Sequence, residues 1–344
     1  MAAGAALPFN LLTFEECLQG AEGRKHVLLG NGFSRALRND IFAYDALFLR
    51  ADFSHLSPTA RQAFTALNTT DFEVVMRALR LVARIIPLYR NDPDLIRILT
   101  EDADGLREVL VQAIAQNHPE GPFEVTDEQY GACRRFLANF DTTYTLNYDL
   151  LLYWALMHSE IDPAVRSDDG FRTPEDEEAD YVTWEVENTD RQNIFYLHGA
   201  LHVFDAENEL KKYTWVHTGI RLIEQIRTAL QANLYPLIVA EGQSQEKMAK
   251  ILHSMYLSRG YRSFAKIGHN LFIYGMSFGE NDRHWFDLIN KGQVRTLYVS
   301  LYGDPDSDTN RQIRTRANQI SVDRGARRPL AVHFYDAASA HVWG

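Results

Sequence analysis

The chain has 344 residues, 46% hydrophobic and 24% charged, which suits one large globular domain or a domain carrying a sizeable insertion. Its net charge of −11 argues against a nucleic-acid-binding surface, which needs clustered Lys and Arg. Its two cysteines, Cys17 and Cys133, are too few for a four-cysteine zinc site and point to reduced thiols in the cytoplasm.

At the start, MAAGAALPFNLL has no basic stretch and no long apolar core, which predicts no signal peptide. No apolar run reaches the ~18 residues of a membrane helix, so no membrane partner is expected. LTFEECLQG reads as a short helix with Thr13 as N-cap and Gly20 after its end. HVLLG is the first strand, and a helix should begin near Phe33 or Ser34.

Residues 50–138 carry almost no strand signal and read as a helical insertion. Within it, Thr70 and Glu73 fit a capping box. Phe72, Val75, Met76, Leu79, Val82, Ala83 and Ile86 fall on one helical face, and Pro87 should stop that helix. Thr126 and Gln129 open a further helix ending near Asn139.

Thr142–Leu146 is β-branched and aromatic, hence a strand, and YDLLLYWAL should be a helix with Asp149 in its first turn. The acidic region 160–190, including SDDGFRTPEDEEADY, suits a solvated segment better than a site. NIFYLHGALHVF and YPLIVAEG read as strands, and SQEKMAKILHSMYLSRGYRSFA as helix. NLFIYGMSFGENDRHWFDLI reads as strand, glycine turn and helix, and RTLYVSLYGD and LAVHFYD as closing strands. Short apolar runs alternating with helical periodicity predict a doubly wound α/β fold, a mainly parallel Rossmann-like sheet within a single domain spanning 1–344.

Strands in this reading end in GNGFS (30–34), TLNYD (145–149), LHG (197–199) and GMSFGEND (275–282). Open parallel sheets bind ligands at the carboxyl ends of their strands, so these loops should meet along one edge. Each loop also has a plainer reading. GNG serves equally as a tight turn or as a phosphate cradle, in which amides of Gly32, Phe33 and Ser34 would face an anion. Ser34 could simply cap its helix. Asn147 and Asp149 fit an Asx turn with an acidic cap, or a ligand-facing pair. His198 could be a satisfied loop residue or a general base. His202 follows at helical spacing, but Gly199 lies between the two and no third ligand follows, so no metal is expected. Gly275 and Ser277 could approach a phosphate or make a turn, and Asn281 or Asp282 is expected to cap the next helix.

The order GNGFS, TLNYD, LHG, GMS resembles the sirtuin nucleotide-binding fold, with its GAGIS turn, TQNID, catalytic HG and GTS loop. The fuller wording (NYDLLLYW, YLHGALH, PLIVAEG, LFIYGMSFGEND) is similar to bacterial sirtuin-like antiphage-defence proteins, several of which hydrolyse NAD. The resemblance implies a sirtuin-type sheet binding NAD as substrate. Gly30, Asn31, Gly32, Phe33 and Ser34 would line the pyrophosphate. Asn147 would hold a water and the nicotinamide ribose. Asp149 would take the carboxamide. His198, next to Gly199, would act as general base, and Gly275 and Ser277 would hold the adenosine side. The zinc ribbon of deacylating sirtuins is absent, Leu146 and Tyr148 replace residues of TQNID, and the DFR expected after the first turn is missing, with Phe42 of DIFAYD in place of its aromatic. The implied activity is therefore NAD+ glycohydrolysis by a defence effector, gated by a homo-oligomer or a partner protein. The other readings are a catalytically silent NAD or ADP-ribose sensor or scaffold, and a transferase.

Overall fold

The computed structural model describes residues 11–174, 179, 181–206, 209–214, 220–232, 234–240 and 244–344. The predicted absence of a signal sequence concerns residues mostly outside this set, as do 175–178 and 180 of the acidic region.

The main sheet grows from apolar runs buried on both faces, as parallel strands require. Its strands are β1 (Lys25–Leu29), β2 (Thr142–Thr145), β5 (Ile194–Tyr196), β8 (Gly268–Tyr274), β9 (Gln293–Leu301) and β10 (Ala331–Asp336). They pair in the order β10-β9-β8-β1-β2-β5, all parallel. The chain lays down β1, β2 and β5 in one direction, then returns to the other side of β1 for β8, β9 and β10. This is a doubly wound α/β sheet flanked by helices, and its strand order reverses between β1 and β8.

Several elements follow their local signals. Thr13 caps Phe14–Gly20 with a full capping box, although Gly20 is the last helical residue and Ala21 the C-cap. Thr126 and Gln129 form the expected box on Asp127–Leu137. The first turn leads into the helix Gly32–Phe42.

Other expectations are corrected. Asp71, not Thr70, caps Phe72–Ile85, because its carboxylate accepts from the amides of Glu73 and Val74. Val82 is exposed although periodicity put it on the buried face. Asp149 precedes its helix, Leu151–Met157, rather than lying in its first turn. The 244–265 stretch is two helices, Ser244–His253 and Met255–Phe264, with Ser254 capping the second. YPLIVAEG forms no strand among the described residues; Ile238 makes one bridge to Gly199 and the segment lies across the LHG turn.

A second, antiparallel sheet has no counterpart in the sequence reading. It orders β3 (Phe171–Arg172), β4 (Tyr181–Trp184), β7 (Glu209–Tyr213) and β6 (Val203–Ala206) as β3-β4-β7-β6. The described part of the acidic region is tied into this sheet: Asp168 pairs with Arg172 at 2.8 Å and Asp169 with the buried Lys212. The helical insertion includes Ala60–Ala66, Phe72–Ile85, Pro93–Asn117 and Asp127–Leu137. It packs into the same hydrophobic core as the sheet. Among the described residues, no helix is long and apolar enough to cross a membrane.

Candidate functional site

The reversal of strand order between β1 and β8 is where a doubly wound sheet leaves a crevice. Here the two flanking turns touch backbone to backbone. Gly30 N donates to Tyr274 O at 2.9 Å and Gly32 N to Gly275 O at 2.8 Å. A Cβ on Gly32 would lie 2.4 Å from Gly275 Cα, and one on Gly30 would lie 2.6 Å from Gly275 O. Gly275 itself has φ +70°. Glycines are therefore required by this turn-against-turn contact, whatever else binds nearby. The contact also uses the Gly32 amide, and Phe33 N donates to Gly30 O at 2.9 Å. Two of the amides expected to face a phosphate are thus already engaged. Asn31 is half-buried and donates Nδ2 to Phe42 O, while Phe33 packs its ring on Trp343, whose indole N–H bonds Phe33 O. Ser277 is exposed at the rim.

Behind the first turn lies a compact hydrogen-bonded group. Ser34 Oγ donates to Asp149 Oδ2 at 2.5 Å. Asn147 Nδ2 donates to Ser34 Oγ and to Gly30 O, both at 3.0 Å. Asp149 Oδ1 accepts from Leu151 N at 2.9 Å, the Asx turn of the plainer reading. All three side chains are buried. Burial raises the Asp149 pKa above the usual carboxylate value, and the Ser34 hydroxyl works against that shift. Ser34 therefore does not cap its own helix; it ties β1 to β2 through their loops.

His198 ends the next strand over, since Leu197 N donates to Thr145 O at 2.9 Å. Its Nε2 accepts from Trp285 Nε1 at 3.1 Å. An indole only donates, so the proton of the neutral imidazole sits on Nδ1. Burial, then the nearby Lys247 ammonium, hold the His198 pKa well below the usual range. Gly199 is held at φ +81° because the 234–240 segment crosses it; a Cβ there would meet Leu237 O at 1.8 Å. His202 points elsewhere, packed between Tyr153 and Tyr196 with neither ring nitrogen partnered among the described residues.

A charged network joins His198 to the helical insertion. Lys247, fully buried, places Nζ 2.6 Å from Glu73 Oε2 and 3.3 Å from Asp282 Oδ1. Asp282 Oδ1 is 3.7 Å from His198 Nε2. Tyr148 OH donates to Glu73 Oε1 at 3.2 Å and to Val239 O, while Arg77 donates to Asn281 at 3.0 Å. Asp282 holds the N-cap position of Arg283–Lys291 but makes no capping bond, against expectation, because Lys247 claims its carboxylate. Two carboxylates share one ammonium. Burial pushes the Glu73 carboxyl up to about 7, whereas Lys247 and the two imidazoles keep Asp282 below the ordinary value despite its burial.

His198, Asp282 and His284 bring their donor atoms within 4.8 Å of one another, a set that could hold a metal ion. Ser244 Oγ orients His284 through Nδ1, at 3.1 Å, and His284 Nε2 has no partner among the described residues. Lys247 already neutralises Asp282 in the same space, and Trp285 occupies the His198 lone pair. A divalent ion there would have to displace both.

All the strand-end loops singled out in the sequence therefore meet on one edge. Glu73, Lys247, Trp285 and the true role of Asp282 escaped sequence reasoning. Each lies on a regular helix or cap and is remote in sequence from the loops it serves. A lysine and an acid at helical positions read as solvated surface.

Fold and site define a doubly wound α/β protein whose carboxyl sheet edge holds a buried polar site, at the position where such sheets take ligands. The chain belongs to the family described as "Domain of unknown function (DUF4917)", whose model matches residues 27–343. No curated protein matches it.

Proposed function

We propose that the chain is a sirtuin-like NAD+ glycohydrolase that releases nicotinamide and ADP-ribose. The observation that supports this reading is that Asn147 and His198 follow adjacent strands, β2 and β5, on the carboxyl edge of the sheet: Asn147 hydrogen-bonds Gly30 O at 3.0 Å at the β1–β8 reversal, and His198 ends the strand next to β2. In the reaction, the bond from ribose C1′ to the nicotinamide nitrogen breaks and its electron pair goes to the ring. A water oxygen bonds C1′ and loses a proton. Asn147 positions that water and the ribose. His198, neutral at pH 7 because of its lowered pKa, takes the proton. Its free lone pair is on the nitrogen now bonded to Trp285, so substrate must replace the indole N–H there. A base so placed contributes ~100- to 10,000-fold. Asp149 turns a remaining oxygen lone pair to the carboxamide. Ser277, exposed at the rim, meets the adenosine side. In the cell this activity drains NAD as a cytoplasmic defence effector and is gated by self-association or by a partner.

One observation favours a second reading, a nucleotide sensor without turnover: the His198 lone pair is occupied, and Asn147 and Asp149 are buried. The test is incubation of the purified full chain with NAD+, followed by chromatography for nicotinamide and ADP-ribose. Wild type should form both in equal amounts, and His198→Ala and Asn147→Ala should form neither although each is still folded at the assay temperature, Asn147→Ala with a lowered melting midpoint because it loses its bonds to Gly30 O and Ser34. Equal rates in wild type and His198→Ala overturn the mechanism. Saturable NAD+ binding without products establishes the sensor.

A further inference from the structure

The opposite edge of the main sheet carries a cleft of about 980 Å³. Its floor includes His26 of β1, Thr142 of β2, Gly268 of β8 and Gln293 of β9, all at the amino ends of their strands. β8 is seven residues long, so this floor lies ~20 Å from the strand-end loops at 3.3 Å per residue. The volume falls at the upper end of ordinary small-molecule sites.

The charge lining this cleft is opposite in sign to that of the whole protein. Arg24, Arg259, Arg262 and Lys266 all face it, and no carboxylate does among the described residues, in a chain of net charge −11. Arg259 and Arg262 share one face of the helix Met255–Phe264, and Lys266 follows just past its end. Arg259 spends one N–H on Thr189 O at 3.1 Å. The side chains of Arg24, Arg262 and Lys266 have no hydrogen-bond or ion-pair partner among the described residues. A cleft lined by one sign of charge focuses its field and draws in counter-ions of the other sign.

A second observation points to a ligand. His26 is 5% exposed, and its Nδ1 has no partner among the described residues. A buried imidazole nitrogen left unsatisfied is costly, and a ligand polar atom in the cleft would satisfy it. The rim supplies the remaining chemistry: Val186, Leu252 and Met255 are each about half exposed or more, an apolar shelf beside the cations.

We propose that this cleft binds a phosphorylated nucleotide, with its phosphates on Arg24, Arg259, Arg262 and Lys266 and its base on the Val186–Leu252–Met255 shelf. A bare phosphate would leave the shelf and most of the volume unused. An extended nucleic acid would meet the net negative charge of the rest of the surface. The site is separate from the strand-end site and stands or falls without it.

The experiment titrates the full chain with a fluorescent N-methylanthraniloyl ATP. Binding should saturate and be reversed by unlabelled ATP. The double variant Arg259→Ala/Arg262→Ala should weaken it at least tenfold with an unchanged melting curve, because both side chains are exposed. Asn147→Ala should bind as wild type does. The proposal is overturned if nothing saturates at millimolar nucleotide, or if the double variant binds equally well. It is also overturned if Asn147→Ala abolishes binding, which would put the nucleotide at the other edge. Equal competition by tripolyphosphate would reject the nucleotide in favour of a polyphosphate site. Arginine-dependent binding to phosphatidylserine vesicles without nucleotide saturation would reject it in favour of a membrane surface.

Discussion

The Ser34–Asn147–Asp149 group and the Glu73–Lys247–Asp282–His198 group share the carboxyl edge of the sheet, but the first is held by hydrogen bonds around one carboxylate and the second by charges. Asn147 and Asp149 of the first sit in the loop after β2, and Ser34 sits in the first turn of the helix that follows β1. The second gathers a residue from the helical insertion, one from the helix Ser244–His253, one from the turn after β8 and one from the end of β5. The first group registers neighbouring strands. The second clamps the insertion onto the sheet and places the Lys247 ammonium near His198, where it adds to the burial that keeps the imidazole neutral. The energetic stakes differ accordingly, since a lost hydrogen bond leaves a dipole unsatisfied, whereas a lost ammonium leaves two acids facing each other.

Removing the ammonium should separate the two groups most sharply. Lys247→Met is expected to destabilise the fold by about 3 kcal/mol, the low end for a broken buried pair because both carboxylates keep some exposure. Denaturant unfolding measures this, and a loss under 1 kcal/mol would mean the charges do not clamp the insertion.

Ser34→Ala tests the first group. It takes the donor from Asp149 Oδ2 and an acceptor from Asn147, and should cost about 1–2 kcal/mol, less than the broken charge cluster. If the cost equals that of Lys247→Met, the distinction drawn between the groups fails.

The pH dependence of stability probes the charged group alone. The folded Glu73 carboxyl titrates near 7, against an ordinary 4.5. Between those values the folded chain holds a proton that the unfolded chain has lost. The contribution of Glu73 is therefore complete below pH 4.5 and declines as pH rises towards 7. Thermal melts across that window should decline less steeply for Glu73→Gln than for wild type; parallel curves would show an unshifted carboxyl.

The last test, Trp285→Phe, keeps an aromatic ring at the site but removes the N–H bond and part of a fully buried indole, so it is read on His198 rather than on stability. Because that bond favours the neutral imidazole, its loss should raise the His198 pKa. Proton NMR titration of the histidine resonances reads this, and an unmoved pKa would remove Trp285 from the control of His198.

The sequence by itself determined the parallel sheet and the loops that meet on its edge. Alternating apolar runs, glycine turns and the local caps at Thr13 and Thr126 are short-range signals, decided by residues within one turn of each other. Asn147 and His198 were legible for the same reason, because a polar residue at the end of an apolar strand stands out. Only the tertiary structure decided why the glycines are there. Gly30 and Gly32 meet Gly275 across about 240 residues of chain, and Gly199 yields to the crossing 234–240 segment. It also decided the antiparallel sheet, whose strands pair residues as distant as Tyr181 and Tyr213. Glu73 and Asp282 carried local marks only as helix-cap residues and Lys247 carried none: a helical acid or lysine reads as surface until packing removes the water around it. Desolvation belongs to the folded whole, and it made a charged network out of residues that separately look solvated.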